Sequence, residues 1–225
     1  MKPINKFLFP ILAISVCLWL TSCVNKLKNK FWWEAGISAP KYYPIAGNVD
    51  FIGCAGNGSN VSFANGWGHS YGAIVSSNKY KNLPKEVYID YYSIVDAKDF
   101  KGTVPLPYNK ILDLFKKYCK DKENDEGHLV VGMAPGGWVR VWADFTGSEN
   151  GILLIEVAKA QLKEYDSGRK RDQVVNDKDW EEYYTYWKHF GIPYDAWAEN
   201  EKEYDIYFDF NKQNPNYDVF DVLYS

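Results

Sequence analysis

Few side chains in this sequence have the type and spacing to do chemistry. His69, His128 and His189 are the three histidines. None has a second ligand at His-Glu-x-x-His or Cys-x-x-Cys spacing, so no metal site is expected. Ser59 stands in Gly56-Asn57-Gly58-Ser59-Asn60, which lacks the Gly-x-Ser-x-Gly spacing of a nucleophile elbow. No Gly-Lys-Ser or Gly-Lys-Thr triplet is present to cradle a phosphate, and no cofactor is expected. Asp121 to Gly127 alternates acids like a calcium loop. Its glycine falls at the seventh position rather than the sixth, however, and Gly132 stands where a bidentate Glu belongs. A hydrolase would have to combine acids such as Asp90 or Asp144 with a histidine such as His69, a convergence that spacing alone does not supply.

A binding surface is better marked. Trp138, Arg140, Trp142 and Asp144 alternate with Val139, Val141, Ala143 and Phe145, so a strand there turns the first set to one face and the second to the core. Trp and Arg pair through cation–π contacts and are enriched at binding hot spots. The competing reading of Trp138, Arg140 and Trp142 is a second layer, with a helix covering that face. Arg169-Lys170-Arg171 follows Ser167-Gly168 in an expected loop and is either solvated or turned to headgroups or a partner.

Residues 1–22 have the composition of a targeting segment: Lys2 and Lys6 lead, and Phe7 to Leu20 carries no charge. Fourteen residues are too few to span a bilayer, which needs about 20. The run ends in Leu20-Thr21-Ser22-Cys23. This resembles the lipobox of bacterial lipoproteins, in which the cysteine sulfur receives a diacylglycerol thioether and becomes the mature N-terminus. The resemblance implies a membrane partner through a lipid anchor at Cys23, with residues 23–31 as tether and 32–225 as the domain. Val24 and Asn25 follow rather than Asp, so the outer membrane facing the periplasm is the expected location. Losing Lys2 and Lys6 leaves 24 basic against 29 acidic residues, a net charge of -5. Such a chain has no basic face for nucleic acid. Cys54 and Cys119 remain, 65 positions apart, either bridged in an oxidising compartment or simply buried.

The elements that must hold these residues are mostly strands. Aromatic residues are 17% of the 225, which favours packed sheets over disorder. Strands are expected at Trp32–Ile37, Val49–Cys54, Val61–Ala64, Ala73–Ser76, Glu86–Ser93, His128–Ala134, Trp138–Phe145, Ile152–Val157 and around Tyr204–Phe210. Turns are expected at Gly56-Asn57-Gly58 and Pro135-Gly136-Gly137. Ile111, Leu112, Phe115 and Tyr118 give one apolar face to a helix from Tyr108 to Tyr118. A second helix is expected from Asp179, capped by Asp179 with Glu182 three residues on. The sum is one α+β domain, mostly antiparallel, with two main helices.

Several short motifs, in order, resemble the bacterial lipoproteins grouped as domain of unknown function 2931. They are the lipobox, Ala39-Pro40-Lys41-Tyr42-Tyr43-Pro44, Gly66-Trp67-Gly68, Leu106-Pro107 leading to Leu114-Phe115, and Pro135-Gly136-Gly137 before Val139-Arg140-Val141-Trp142. The resemblance implies a cell-envelope lipoprotein and carries no catalytic residues. The expected function is a non-enzymatic, membrane-anchored binding module that holds a protein partner in the periplasm, with an immunity-type protein as one form. The alternatives are a structural envelope component and a hydrolase of envelope glycan or lipid.

Overall fold

Residues 29–40, 43–61, 67–68, 70, 73–75, 78–121, 123–146 and 153–190 are described by a computed structural model. The chain divides into two units, Met1–Lys30 and Phe31–Ser225. Of the first, only Asn29 and Lys30 are among the described residues. Cys23 lies outside them, as does the strand expected around Tyr204–Phe210.

The first strand, β1 (Lys30–Ser38), alternates as its sequence dictates, with Phe31, Trp33, Ala35 and Ile37 all buried. It is followed by β2 (Ile45–Phe51), β3 (Ala55–Val61), β4 (Ala73–Val75), β5 (Tyr80–Asn82), β6 (Glu86–Ser93) and β7 (Lys98–Pro105). Helix α1 (Tyr108–Tyr118) comes next, then β8 (Gly127–Met133), β9 (Trp138–Asp144), β10 (Leu154–Gln161) and β11 (Lys163–Tyr165). A short helix α2 (Arg171–Val174) and a longer α3 (Asp177–Phe190) complete the described chain. The strands form a five-stranded sheet, β10-β9-β8-β1-β5, and a six-stranded sheet, β11-β7-β6-β2-β3-β4. This is the α+β class read from the sequence. Most pairings are antiparallel, but β1 runs parallel to β8, pairing Trp33 with Gly127 and Ser38 with Gly132. That parallel pair requires a long crossover, and β2 to β7 with α1 supply it.

The inward faces of the two sheets share one core. Trp33 of β1 meets Phe51 of β2 edge to face at 5.5 Å, and Val87, Ile89 and Tyr91 of β6 join the inward residues of β8 and β9. Ile111 and Phe115 of α1 close one side, with Phe115 5.4 Å from Phe31. A buried polar bond also crosses between the sheets, from Asn57 Nδ2 of β3 to the Ala35 carbonyl at 2.7 Å.

Asn57 explains one departure from the sequence reading. Gly56-Asn57-Gly58 is not the hairpin turn; it lies within β3. The turn is Ile52-Gly53-Cys54, closed by the Cys54 N–H donating to the Phe51 carbonyl at 2.8 Å, with Gly53 at φ +69°. Moving the turn forward keeps Val49 and Phe51 inward and lets Asn57 reach β1. The strands β5, β7 and β11 escaped the sequence reading because their residues are mostly polar. In β7 only Phe100 and Val104 supply large inward side chains, and Leu162 packs where Gly102 has none. Helix α3 starts earlier than expected: Asn176 rather than Asp179 caps it, its Oδ1 accepting from the Asp179 N–H at 2.9 Å.

The β8–β9 connection passes through Pro135-Gly136-Gly137, with φ +75° at Gly136 and +82° at Gly137. A Cβ on Gly137 would lie 2.5 Å from the Leu162 carbonyl and 2.9 Å from Phe100, whereas one on Gly53 would meet nothing within 4 Å. Gly53→Ala should therefore cost only the backbone term, about 1 kcal/mol. Gly137→Ala should cost about 3 kcal/mol or more, because steric displacement adds to it. Urea denaturation of the two variants measures the difference.

Candidate functional site

Strand β9 has the two faces its alternation requires. Val139, Val141 and Ala143 enter the central core, and Trp138, Arg140, Trp142 and Asp144 face the other way. That second face is not open. Trp142 is 2% exposed, within a second buried cluster that includes Tyr43, Trp67, Val95, Val130 and Ala134. Trp67 meets it edge to face at 5.1 Å. Between them lies Gly132 of β8, where a Cβ would fall 2.6 Å from Trp142 and 2.7 Å from Trp67. The Gly68 N–H donates to buried Ser38 Oγ at 3.0 Å and fixes the Trp67-Gly68 turn on the sheet. Trp138, Trp180 and Tyr183 pack around the cluster, the last two from α3. Of the two readings of Trp138, Arg140 and Trp142, the covered second layer fits this face. Trp142 is core, Trp138 is half-buried, and the Arg140 side chain is only 12% exposed beside Glu156 of β10, with Nη1 3.3 Å from Oε2. In the sequence Trp67 stands out only within the Gly66-Trp67-Gly68 motif. The signal that placed it was Gly132, a glycine inside an otherwise apolar strand.

The basic tripeptide is likewise occupied. Asp99 of β7 is buried and accepts from both Ser167 Oγ and the Arg169 guanidinium. Arg169 Nη2 also lies 3.6 Å from Asp90 Oδ1. Arg171 donates to the Ile94 and Val95 carbonyls at 2.9 Å and stacks on Trp180 at 3.9 Å. Arg169 and Arg171 thus strap residues 166–180 onto the β6–β7 hairpin. Lys170 alone of the three is left outward, at the start of α2.

Among the described residues His128 stands directly opposite Asp144 in the β8–β9 register, while Asp90 belongs to the other sheet. Asp90 and Asp144 lie on outward faces of different sheets. Asp90 Oδ1 accepts from Tyr165 Oη at 2.8 Å, and Asp144 Oδ1 from the Thr146 N–H at 2.8 Å. Burial, then the hydrogen bond to Asp90, pushes the Tyr165 hydroxyl up to about 12, so it stays a donor. His128 stands beside Glu126, with Nε2 3.9 Å from Oε1. His69 and the side chain of His189 lie outside the described residues. In the acidic loop, Asp121 accepts from Asn124 Nδ2 at 2.8 Å and from the Glu123 N–H at 3.0 Å, which hold its carboxyl below the usual range. Among the described residues no three His, Cys, Asp or Glu side chains are placed to hold a metal ion, and no helix is long and apolar enough to cross a membrane.

Cys54 and Cys119 are free thiols, the first half-buried and the second buried. Burial, then Asp125 and Glu126, push the Cys119 thiol up to about 12; burial, then Asp50, raises Cys54 less. A thiol raised this way favours the fold while protonated, so that contribution is whole below pH 9 and is lost as pH rises toward 12. The same environment withholds the nucleophilic thiolate at neutral pH.

The polar face that does remain open belongs to the six-stranded sheet. Beyond the strap, Asn48, Asp50, Glu86, Tyr88, Lys101 and Thr103 are all exposed. The sequence carried this signal in the alternation of Glu86–Ser93, where Tyr88 is 37% exposed between buried Val87 and Ile89.

Two outcomes follow for the residues singled out from the sequence. Trp142→Ala should lower stability by about 3–5 kcal/mol, as for a buried aromatic, while Arg140→Ala should cost about 1–2 kcal/mol, as for a lost charged hydrogen bond; thermal or urea melting separates them. Iodoacetamide at pH 8, read residue by residue by mass spectrometry, should label Cys54 well before Cys119, and both equally once unfolded. Labelling of neither residue in urea until a reductant is added would instead reveal a bridge.

Comparison with curated proteins and with solved structures gave no match. A sequence profile of one family does match, over residues 21–195, which takes in every described strand and helix from β1 to α3. The chain therefore belongs to the family described as Protein of unknown function (DUF2931).

Proposed function

We propose that the mature chain is a lipid-anchored, non-enzymatic binding domain of the bacterial cell envelope, carried on the outer membrane through Cys23 and facing the periplasm. There it holds a protein partner, as an immunity-type protein does. The observation that carries this reading is the sequence of residues 1–23: a basic start, an uncharged run too short to span a bilayer, and Leu20-Thr21-Ser22-Cys23. Two or more acyl chains on one residue hold a protein on a membrane stably, whereas one chain does so only marginally. Among the described residues of the domain that follows, no three metal-ligating side chains come together, and one polar sheet face stays open. Both features suit holding a partner better than turning over a substrate.

The test is direct. Cells fed labelled palmitate should incorporate it into the wild-type chain and not into Cys23→Ala, and only the wild type should partition with detergent and with membranes. The lipidated protein, captured from native envelopes after mild cross-linking, should bring down one protein in stoichiometric amount. An unlabelled wild-type chain would overturn the anchor, and an anchored, folded domain without a protein partner would overturn the binding role.

A further inference from the structure

We infer that the open face of the six-stranded sheet, centred on Tyr88, is the interaction surface, and that it takes an arginine- or lysine-bearing segment of a protein. The inference rests on the binding role proposed above and adds to it the place and the chemistry.

The two sheets present unlike outward faces. That of the five-stranded sheet is sealed by Trp67, Trp142 and their neighbours. That of the six-stranded sheet is sealed at the end where the strap with Arg169 lies over Asp99 and Tyr92 is fully buried. At the other end, residues directly opposite in register share a face. Tyr88 pairs with Asp50 on β2 and with Thr103 on β7, while Asp90 pairs with Asn48 and Lys101. Glu86 and Asp90 sit two residues either side of Tyr88 on β6 and therefore point the same way. An exposed aromatic ring thus shares its face with three carboxylates, of which Asp90 already takes Tyr165 and Arg169 while Asp50 and Glu86 are exposed.

The nearby cations are already committed. Lys101 is turned onto the Tyr165 ring, 3.8 Å from its centroid, and Arg169 is shared between Asp99 and Asp90. Among the described residues, neither Asp50 nor Glu86 has an ion-pair partner. A surface of acceptors around a π-face has a specific complement: a guanidinium or ammonium group, which stacks on the ring and donates to flanking carboxylates. A neutral sugar could exchange hydrogen bonds with these side chains but would leave the charge of Asp50 and Glu86 unmatched. The net charge of -5 after residue 22 favours approach of a basic partner in the same sense.

A fluorescein-labelled hexa-arginine peptide, titrated with the full mature chain and followed by anisotropy, tests the surface chemistry. Tyr88→Ala should weaken binding about threefold, and Tyr88→Ala combined with Asp50→Asn about tenfold. Tyr88→Phe should bind as the wild type, and so should Asp113→Asn, which removes an exposed acid on α1. Circular dichroism and urea melting confirm that each variant is folded. Equal weakening by Asp113→Asn, or no weakening by the double variant, would mean diffuse charge attraction and overturn the inference. The lipidated double variant, cross-linked in native envelopes, separates this inference from the binding role it rests on. Loss of the wild-type partner supports both. A partner retained in full overturns the Tyr88 surface and leaves the binding role standing. No partner even with the wild type overturns the binding role itself.

Discussion

The structure depends most on one corner, Pro135-Gly136-Gly137, where the two sheets are tied together. The Tyr91 hydroxyl of β6 donates to the Ala134 carbonyl at 2.5 Å, and the Gly136 N–H donates to Asp96 in the β6–β7 turn at 2.7 Å. The Leu162 N–H, at the point where the chain leaves β10 for β11, donates to the Gly137 carbonyl at 2.8 Å. Burial holds the Tyr91 phenol well above its ordinary range, so it remains a donor at any physiological pH. Two successive residues at positive φ, the second with no room for a Cβ, make the corner a place for glycine alone. Because β10 pairs with β9 and β11 with β7, this corner also fixes where a single stretch of chain changes sheets.

From that arrangement comes the division of labour between the outward faces. The parallel pairing of β1 with β8 places Gly36, Ser38, Val130 and Gly132 side by side. A strip this small leaves a trough in which Trp67 and Trp142 lie close, and α3 adds Trp180 and Tyr183 over it. The arginines at 169 and 171 hold the strap, and the strap ends before Tyr88. Among the described residues, one face is consequently consumed by the fold while half of the other stays in water, and the proposed binding role rests on the latter.

Much of this was legible in the sequence, and the reasons for the remainder are physical. The limits of α1 and β6 follow from periodicities of 3.6 and 2 that a half-buried position enforces. Trp142 was harder. Its alternation with Val141 fixes which way it points, but only the distant pair Gly132 and Trp67 decides whether that side is wet. Arg169 and Arg171 read as solvated for the same reason, since Asp99 and the carbonyls of Ile94 and Val95 lie 70 or more positions away. The Gly56-Asn57-Gly58 segment looked like a turn because local preference favours one. Asn57 crossing to Ala35 prevailed over that preference.

The outer face of the five-stranded sheet is structural, and we place the proposed partner on the open half of the six-stranded sheet. Amide hydrogen exchange on the lipidated protein in its native envelope, compared with the purified chain in detergent, tests it most directly. Added protection is expected in peptides covering residues 45–51 and 86–93, with residues 138–144 equally slow in both states. Added protection confined to residues 138–144, with the other two segments unchanged, would contradict it.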